Sequence, residues 1–270
     1  MNNTIFITGA SSGIGKAAAR LFASKGWNVI ATMRTPESET ELNQTENVTV
    51  LKLDVTQPQQ INETVQKILS QHQVDVVFNN AGYALMGALE AVSDEEILAQ
   101  METNFFGVVR VTKAFIPYFR ERGMGLFITT GSSAGLAGFP MGSIYDASKW
   151  AIEGWSESLS YELAEFNIGI KTIEPGMVAT EIMNKSPMVA HPAYDALLNK
   201  FAAAVMQQEN MTTAEQIAEV VYGAATDSSK QLRYVCGEDA TAMYRYRLEA
   251  GDEAFREAIS EMMNGGKSIL

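Results

Sequence analysis

Among 270 residues there is one cysteine, Cys236, and there are two histidines, His72 and His191. A single thiol excludes an intrachain disulfide, and two isolated histidines give no zinc-binding pattern, so no metal site is expected. Basic residues are also scarce, with 20 Lys and Arg against 32 Asp and Glu and a net charge of -12. This balance disfavours nonspecific attraction to nucleic acid or anionic lipid, and any anionic ligand then needs a local basic site. No apolar run is long enough to span a bilayer, and the N-terminus lacks a basic stretch, a signal core and a cleavage site. A cytoplasmic protein without membrane insertion is the expectation. Internal repeats, low-complexity tracts and linkers are missing too, so residues 1–270 are expected to form one domain, with 46% hydrophobic residues for its core.

What is present is an alternation. The β-branched runs "TIFIT", "NVIAT", "VTVLKL", "VDVVF", "LFITT", "IGIKTIE" and "RYVC" read as strands, each separated by room for a helix. Strand and helix in alternation imply a parallel sheet with right-handed crossovers, and near-continuous apolar character implies strands covered on both faces. The expected fold is α/β, a doubly wound parallel sheet of about seven strands. Residues 94 to 122 read as one long helix. The segment from about Glu181 to Met211 shows no strand pattern, is interrupted by Pro187 and Pro192, and reads as a helical lid beside the sheet.

In "TIFITGASSGIGKAAARLFASKG" a strand runs directly into Gly9, Gly13 and Gly15 and then into a helix ending near Gly26. Glycines let main chain approach a pyrophosphate, and the free N–H groups and dipole of a helix start favour its charge. An ordinary tight turn is the alternative. After the second strand a dinucleotide site commonly offers Asp or Glu to the ribose 2′-hydroxyl, but here the chain reads Thr32, Met33, Arg34. An arginine without a carboxylate favours NADP(H) over NAD(H), with a solvated loop charge as the plainer reading of Arg34.

Two other patterns have chemical readings. "GSSAG", residues 131 to 135, fits the nucleophile elbow of α/β-hydrolases with Ser133 as nucleophile. The following "LAGFPMG" makes a poor helix, however, and only His191 follows as a base. "YDASK" puts Tyr145 and Lys149 four residues apart, on one face of a helix, either as solvated neighbours or as a phenol and an ammonium set up for proton transfer.

Taken in order, "TGASSGIG", "LDV" at 53 to 55, "NNAG" at 79 to 82, Asn104, "GSSAG", "YDASK" and "PGMVAT" at 175 to 180 span nearly the whole chain. On these pieces the sequence resembles the compact type of short-chain dehydrogenase/reductase, which implies a single-domain Rossmann fold and an oxidoreductase. The resemblance makes Tyr145 the general acid in carbonyl reduction and the general base in alcohol oxidation. Lys149 would stabilise the phenolate and hold the nicotinamide ribose. Ser132 would polarise the substrate oxygen, with Ser133 as the competing choice, and Asn104 would hold a water beside Lys149. It further implies cofactor contacts from Gly9, Ser11, Ser12, Gly13, Ile14 and Gly15 at the phosphates, from Asp54 and Val55 at adenine, and from Asn80, Ala81 and Gly82 along the ribose. Pro175, Gly176, Val178 and Thr180 would border the nicotinamide. Asp54 as a turn cap, and Asn79 and Asn80 as turn residues, remain the structural alternatives.

For the substrate, Met183, Pro187, Met188 and Val189 in the lid, and Leu85, Phe139, Met141 and Met177 in loops, suit a bulky hydrophobic carbonyl or alcohol, or else only lid packing. The pattern, with the tail "RLEAGDEAFREAISEMM", looks most like the branch containing 17β-hydroxysteroid and retinol dehydrogenases. A homodimer or homotetramer is the family expectation. The rival functions are a silent NADP(H)-binding regulator and, for a chain this short, less well, a nucleotide-sugar epimerase or dehydratase.

Overall fold

Alternate residues of the first strand face opposite sides, and both sides are covered. In β1 (Thr4–Thr8), Ile5 and Ile7 enter one cluster, with Phe22, Trp27, Ile217 and Val221, while Phe6 enters a second with Phe115, Phe119 and Phe127. A computed structural model describes residues 2–179, 187–206 and 211–264. The remaining sheet strands are β2 (Asn28–Met33), β3 (Val48–Lys52), β4 (Val76–Asn79), β5 (Gly125–Thr130), β6 (Ile168–Pro175) and β7 (Arg233–Cys236). All pair in parallel, in the order β7-β6-β5-β4-β1-β2-β3. The seven strand segments expected from β-branched patterning are all there.

Helices α1 (Gly13–Ser24) and α7 (Ala214–Thr226) cover the first face. The second carries α2 (Pro58–Leu69), α4 (Gly107–Arg122) and α5 (Ser143–Ala164). Phe119, fully buried between Phe115 and Phe127, shows what such packing contributes: truncation to alanine costs about 3–5 kcal/mol.

The expected helix over 94 to 122 is not continuous. It consists of α3 (Asp94–Met101), a π-helical turn over Glu102–Phe106, and α4. The wider turn inserts residues into the helical ladder without a glycine or proline to announce it, and Asn104 lies within it.

The lid also departs from expectation. Met188–Val189 forms a two-residue pairing with Met86–Gly87, and Val178–Ala179 pairs with Thr212–Thr213. Between them lies α6 (Asp195–Met206). Met183 and Thr180 lie outside the described residues. Helices α8 (Glu238–Ala250) and α9 (Asp252–Met263) fold back so that Met243, Phe255 and Ile259 pack on Leu136 and Ala137, just beyond Ser132.

Candidate active site

Chain direction reverses its progress across the sheet between β1 and β4, and such a switch point opens a crevice at the carboxyl ends of the strands. One side chain ties this crevice together. Asn80 donates from Nδ2 to the carbonyls of Thr8 and Gly9, both at 3.1 Å, and its Oδ1 accepts from the Thr130 hydroxyl at 3.2 Å. The Thr8 hydroxyl in turn accepts from the main-chain N–H groups of Asn80 and Ala81. Asn80 is therefore a clamp joining β1, β4 and β5, and its amide is spent on protein, so that any ribose contact here would fall to the main chain and to Ala81 and Gly82. Asn79 is no turn residue either: it ends β4, buried, and donates to Thr112.

Gly9 adopts a φ of +67°, and a Cβ there would collide with the main chain of Ala81. Only glycine meets both demands. The turn leads through exposed Ser11 and Ser12 to α1, whose Ser12 N-cap makes no side-chain capping bond. Main-chain N–H groups at Gly13, Ile14 and Gly15 thus stand at a helix start without a capping side chain, the arrangement an anionic phosphate fits. Ile14 itself packs on the first core cluster.

Beyond β2, Lys16 pairs with Glu39 and Glu41, and Arg20 with Glu41. Arg34 is exposed and has no ion pair among the described residues. Asp54 does close a turn, accepting from the N–H and hydroxyl of Thr56 at 2.9 and 2.8 Å. Val55 is buried in the second cluster. Pro175 ends β6, the Gly176 N–H donates to the Cys236 carbonyl at 3.0 Å, and Val178 packs partly buried on the first cluster.

The four expected catalytic residues converge from three elements. Tyr145 and Lys149 lie in the first turns of α5, Ser132 follows β5, and Asn104 comes from the π-helical turn. The Ser132 hydroxyl accepts from the Ala134 N–H at 3.1 Å and neighbours the Tyr145 phenol. Asn104 donates to the Tyr83 carbonyl at 2.9 Å and to the Ser148 hydroxyl at 3.2 Å, and accepts from the Tyr83 N–H at 3.1 Å. Ser148 passes the link on to the Tyr145 carbonyl at 2.6 Å. With its amide so engaged, Asn104 positions the start of α5.

Burial dominates the electrostatics. It pushes the Tyr145 phenol up to about 12, against the opposing pull of the Ser132 hydroxyl. It also lowers Lys149 to about 8, while Glu174 and Glu153 pull the other way. The Lys149 ammonium donates to the Thr130 carbonyl at 2.8 Å and sits 5.8 Å from the Tyr145 ring centroid. The expected lowering of the phenol by lysine is thus not the arrangement found, because the ammonium is directed at a carbonyl. Asp146 is pushed up to about 7 by burial and accepts from the Phe139 N–H at 2.6 Å, pinning the loop before α5. Burial likewise raises Cys236, at the end of β7, to about 12.

No hydrolase triad forms among the described residues. Ser133 opens a single 3-10 turn, and His191 accepts from the Ala193 N–H and packs against Tyr194.

Apolar cover comes mainly from residues the sequence did not single out. Tyr145, Leu197, Leu198 and Phe201 pack on the buried cluster of Ala84, Met86, Ala88 and Met141. Met188 is instead exposed, and Leu85 is buried with its N–H on Gln100. A cavity of about 770 Å³ opens beyond Phe139 and Leu197, against Trp150, Phe255 and Ile259; Tyr145 is not among its walls.

The family model for short chain dehydrogenases matches residues 3–189. The chain belongs to that family. An uncharacterised oxidoreductase of Schizosaccharomyces pombe is 37% identical over 83% of this short-chain dehydrogenase and 96% of its own length. Human retinol dehydrogenase 8 is 39% identical over 67% of this chain and 61% of its own. Among solved structures, a short-chain dehydrogenase from Streptomyces avermitilis superposes with a TM-score of 0.84 at 29% identity, covering 99% of this chain and all of that one. ElxO with NADP bound gives a TM-score of 0.75 at 26% identity, covering 87% and 98%. A Burkholderia phymatum family member in complex with NAD gives 0.78 at 25%, covering 92% and 93%. The protein is an oxidoreductase of this family, a Rossmann-type fold in one domain, and no described helix is long and apolar enough to cross a membrane.

Proposed function

We propose that this short-chain dehydrogenase uses NADP(H) to interconvert a ketone or aldehyde and an alcohol on a hydrophobic, steroid- or retinoid-like substrate. The observation that carries the reading is the convergence of Ser132, Tyr145 and Lys149 beneath an apolar lid. The resident coenzyme supplies or accepts a hydride when bound. The chain's own residues do the rest.

Tyr145 holds a proton throughout the neutral range and would give it to a carbonyl oxygen, and the Ser132 hydroxyl would steer the same oxygen. Lys149, charged below pH of about 8, would hold the ribose side. Gly9, Gly13, Ile14 and Gly15 would receive the pyrophosphate. Since related structures hold NADP in one case and NAD in another, the unpaired Arg34 is what favours the 2′-phosphate. Leu197, Leu198 and Phe201 would exclude water and contact the apolar body of the substrate. A cytoplasmic homo-oligomer is part of the same reading.

Tyr145→Phe keeps the ring and removes the proton. NADPH affinity should stay near that of the wild type while turnover on a carbonyl panel falls by ~10²- to 10⁴-fold. A variant still working near the wild-type rate would assign the proton to another group, and NADPH binding without turnover on any carbonyl by the wild type would favour the silent regulator.

A further inference from the structure

Ser132 stands on a buried acid. Glu174, next to last in β6, has no exposed surface, and its Oε2 accepts from the Ser132 main-chain N–H at 2.6 Å. Its carboxyl fills the space that a Cβ on Gly131 would need, so the glycine before Ser132 exists to admit it. Among the described residues the other oxygen, Oε1, has no donor, and neither has Oε1 of Glu153, one turn beyond Lys149 on α5 and likewise shut from solvent. These two carboxyls lie within hydrogen-bond reach of each other. Two ionised carboxylates have no donor to share, whereas one proton between them satisfies both orphan oxygens at once.

The surrounding charges say which member keeps that proton. Arg233 of β7 donates from Nε to Glu153 Oε2 at 2.5 Å and from Nη2 to Glu157 at 2.6 Å, so the nearby cation is spent on Glu153 and Glu157. Among the described residues, Glu174 faces no cation at hydrogen-bond distance. Its neighbours are the Thr172 hydroxyl on its own strand, Cys236 on β7, and Lys149 and Tyr145 on α5, of which Lys149 gives its hydrogen bond to Thr130. Burial and the Glu153 charge both favour the protonated form of Glu174, against the Ser132 N–H and Thr172.

We propose that Glu174 and Glu153 form a carboxyl pair joined by one proton and act as positioning residues: Glu174 fixes the main chain of Ser132, and the pair's single negative charge supports the Lys149 ammonium. The proposal rests on the reading of Ser132, Tyr145 and Lys149 as the catalytic set. An amide at position 174 imitates the protonated acid, with its carbonyl accepting from Ser132 and its NH₂ donating to Glu153. An alanine leaves the Ser132 N–H buried without an acceptor.

The test uses the full chain. Infrared spectra at pH 7 should contain the C=O stretch of a buried protonated carboxyl that shifts in D₂O, is lost in Glu174→Gln and persists in Asp146→Asn. Glu174→Ala should lower kcat about tenfold with NADPH affinity changed by less than about twofold, and Glu174→Gln should restore most of that loss. The double variant Glu153→Gln/Glu174→Gln removes the negative charge, so the pH at which NADPH affinity falls through loss of the Lys149 proton should drop by about one unit. Absence of a carboxyl band that depends on Glu174, or a Glu174→Gln protein as impaired as Glu174→Ala, would overturn the pair. If the wild type reduces no carbonyl, the functional reading fails, yet the infrared band and the NADPH titration still decide the pair.

Discussion

The two ends of the cleft are built from opposite materials. Beside β1 and β4 the walls are glycine, threonine and asparagine, joined by hydrogen bonds through Thr8, Asn80 and Thr130. Beneath α6 the side chains are Met86, Met141, Leu197 and Phe201, which meet through apolar contact. The first end must offer main-chain N–H groups in one geometry, which few residues permit. The second must only be apolar and of suitable volume, which many side chains satisfy. One end is therefore rigid in residue identity, and the other is free to vary.

Breaking the polar end should have the larger effect. Asn80→Ala removes three side-chain hydrogen bonds at the meeting of three strands and should cost about 3 kcal/mol of stability, read as a lower urea midpoint, with weaker binding of either coenzyme. An unchanged midpoint would mean that the clamp is ornamental.

The coenzyme preference is a narrower break at the same end. Arg34→Asp should weaken NADPH binding by about 1.5–3 kcal/mol and leave NADH nearly untouched, as measured by calorimetric titration of both. Equal losses would return Arg34 to the status of a solvated charge.

At the apolar end Phe201→Ala should raise KM for a bulky hydrophobic carbonyl by about tenfold at unchanged NADPH affinity. A matching change in NADPH affinity would show that the two ends are not separable.

The smallest effect joins the ends through Lys149. Its folded pKa of about 8 lies below the ordinary 10.5, so the folded protein binds fewer protons than the unfolded one between those values, and stability rises with pH across that window. Below pH 8 the native state bears the full cost of a buried ammonium. Lys149→Met should accordingly raise Tm at pH 7, with a gain that shrinks as pH approaches 10.5, while abolishing tight coenzyme binding.

What the sequence disclosed follows the same division. All seven sheet strands were readable because strands buried on both faces need β-branched runs, and Gly9 and Gly15 were readable because no other residue suits their positions. Tyr145 and Lys149 stood out by their spacing of four, whereas Asn104 and Ser132 were singled out only through the family resemblance. The π-helical turn was not, since "ETNFF" looks like ordinary helix. Nor was the inward clamp of Asn80, for an asparagine after a strand reads equally well as a turn. Glu174 was hidden by its surroundings: an acid at the end of "IGIKTIE" suggests a strand leaving the core, whereas the chain buries it under Ser132. The lid was least legible, because Leu197 and Phe201 carry no pattern that separates covering a substrate from filling a core.

Cys236 closes the last strand of the sheet, out of solvent, with its thiol held near 12 chiefly by burial. At neutral pH it offers almost no thiolate, so alkylating reagents and oxidants should find the native protein inert. Labelling then becomes a clock. Each maleimide that attaches records a moment when β7 has lifted from β6, the strand that carries Glu174, and the rate of attachment measures how often the floor of the active site opens while the protein as a whole stays folded.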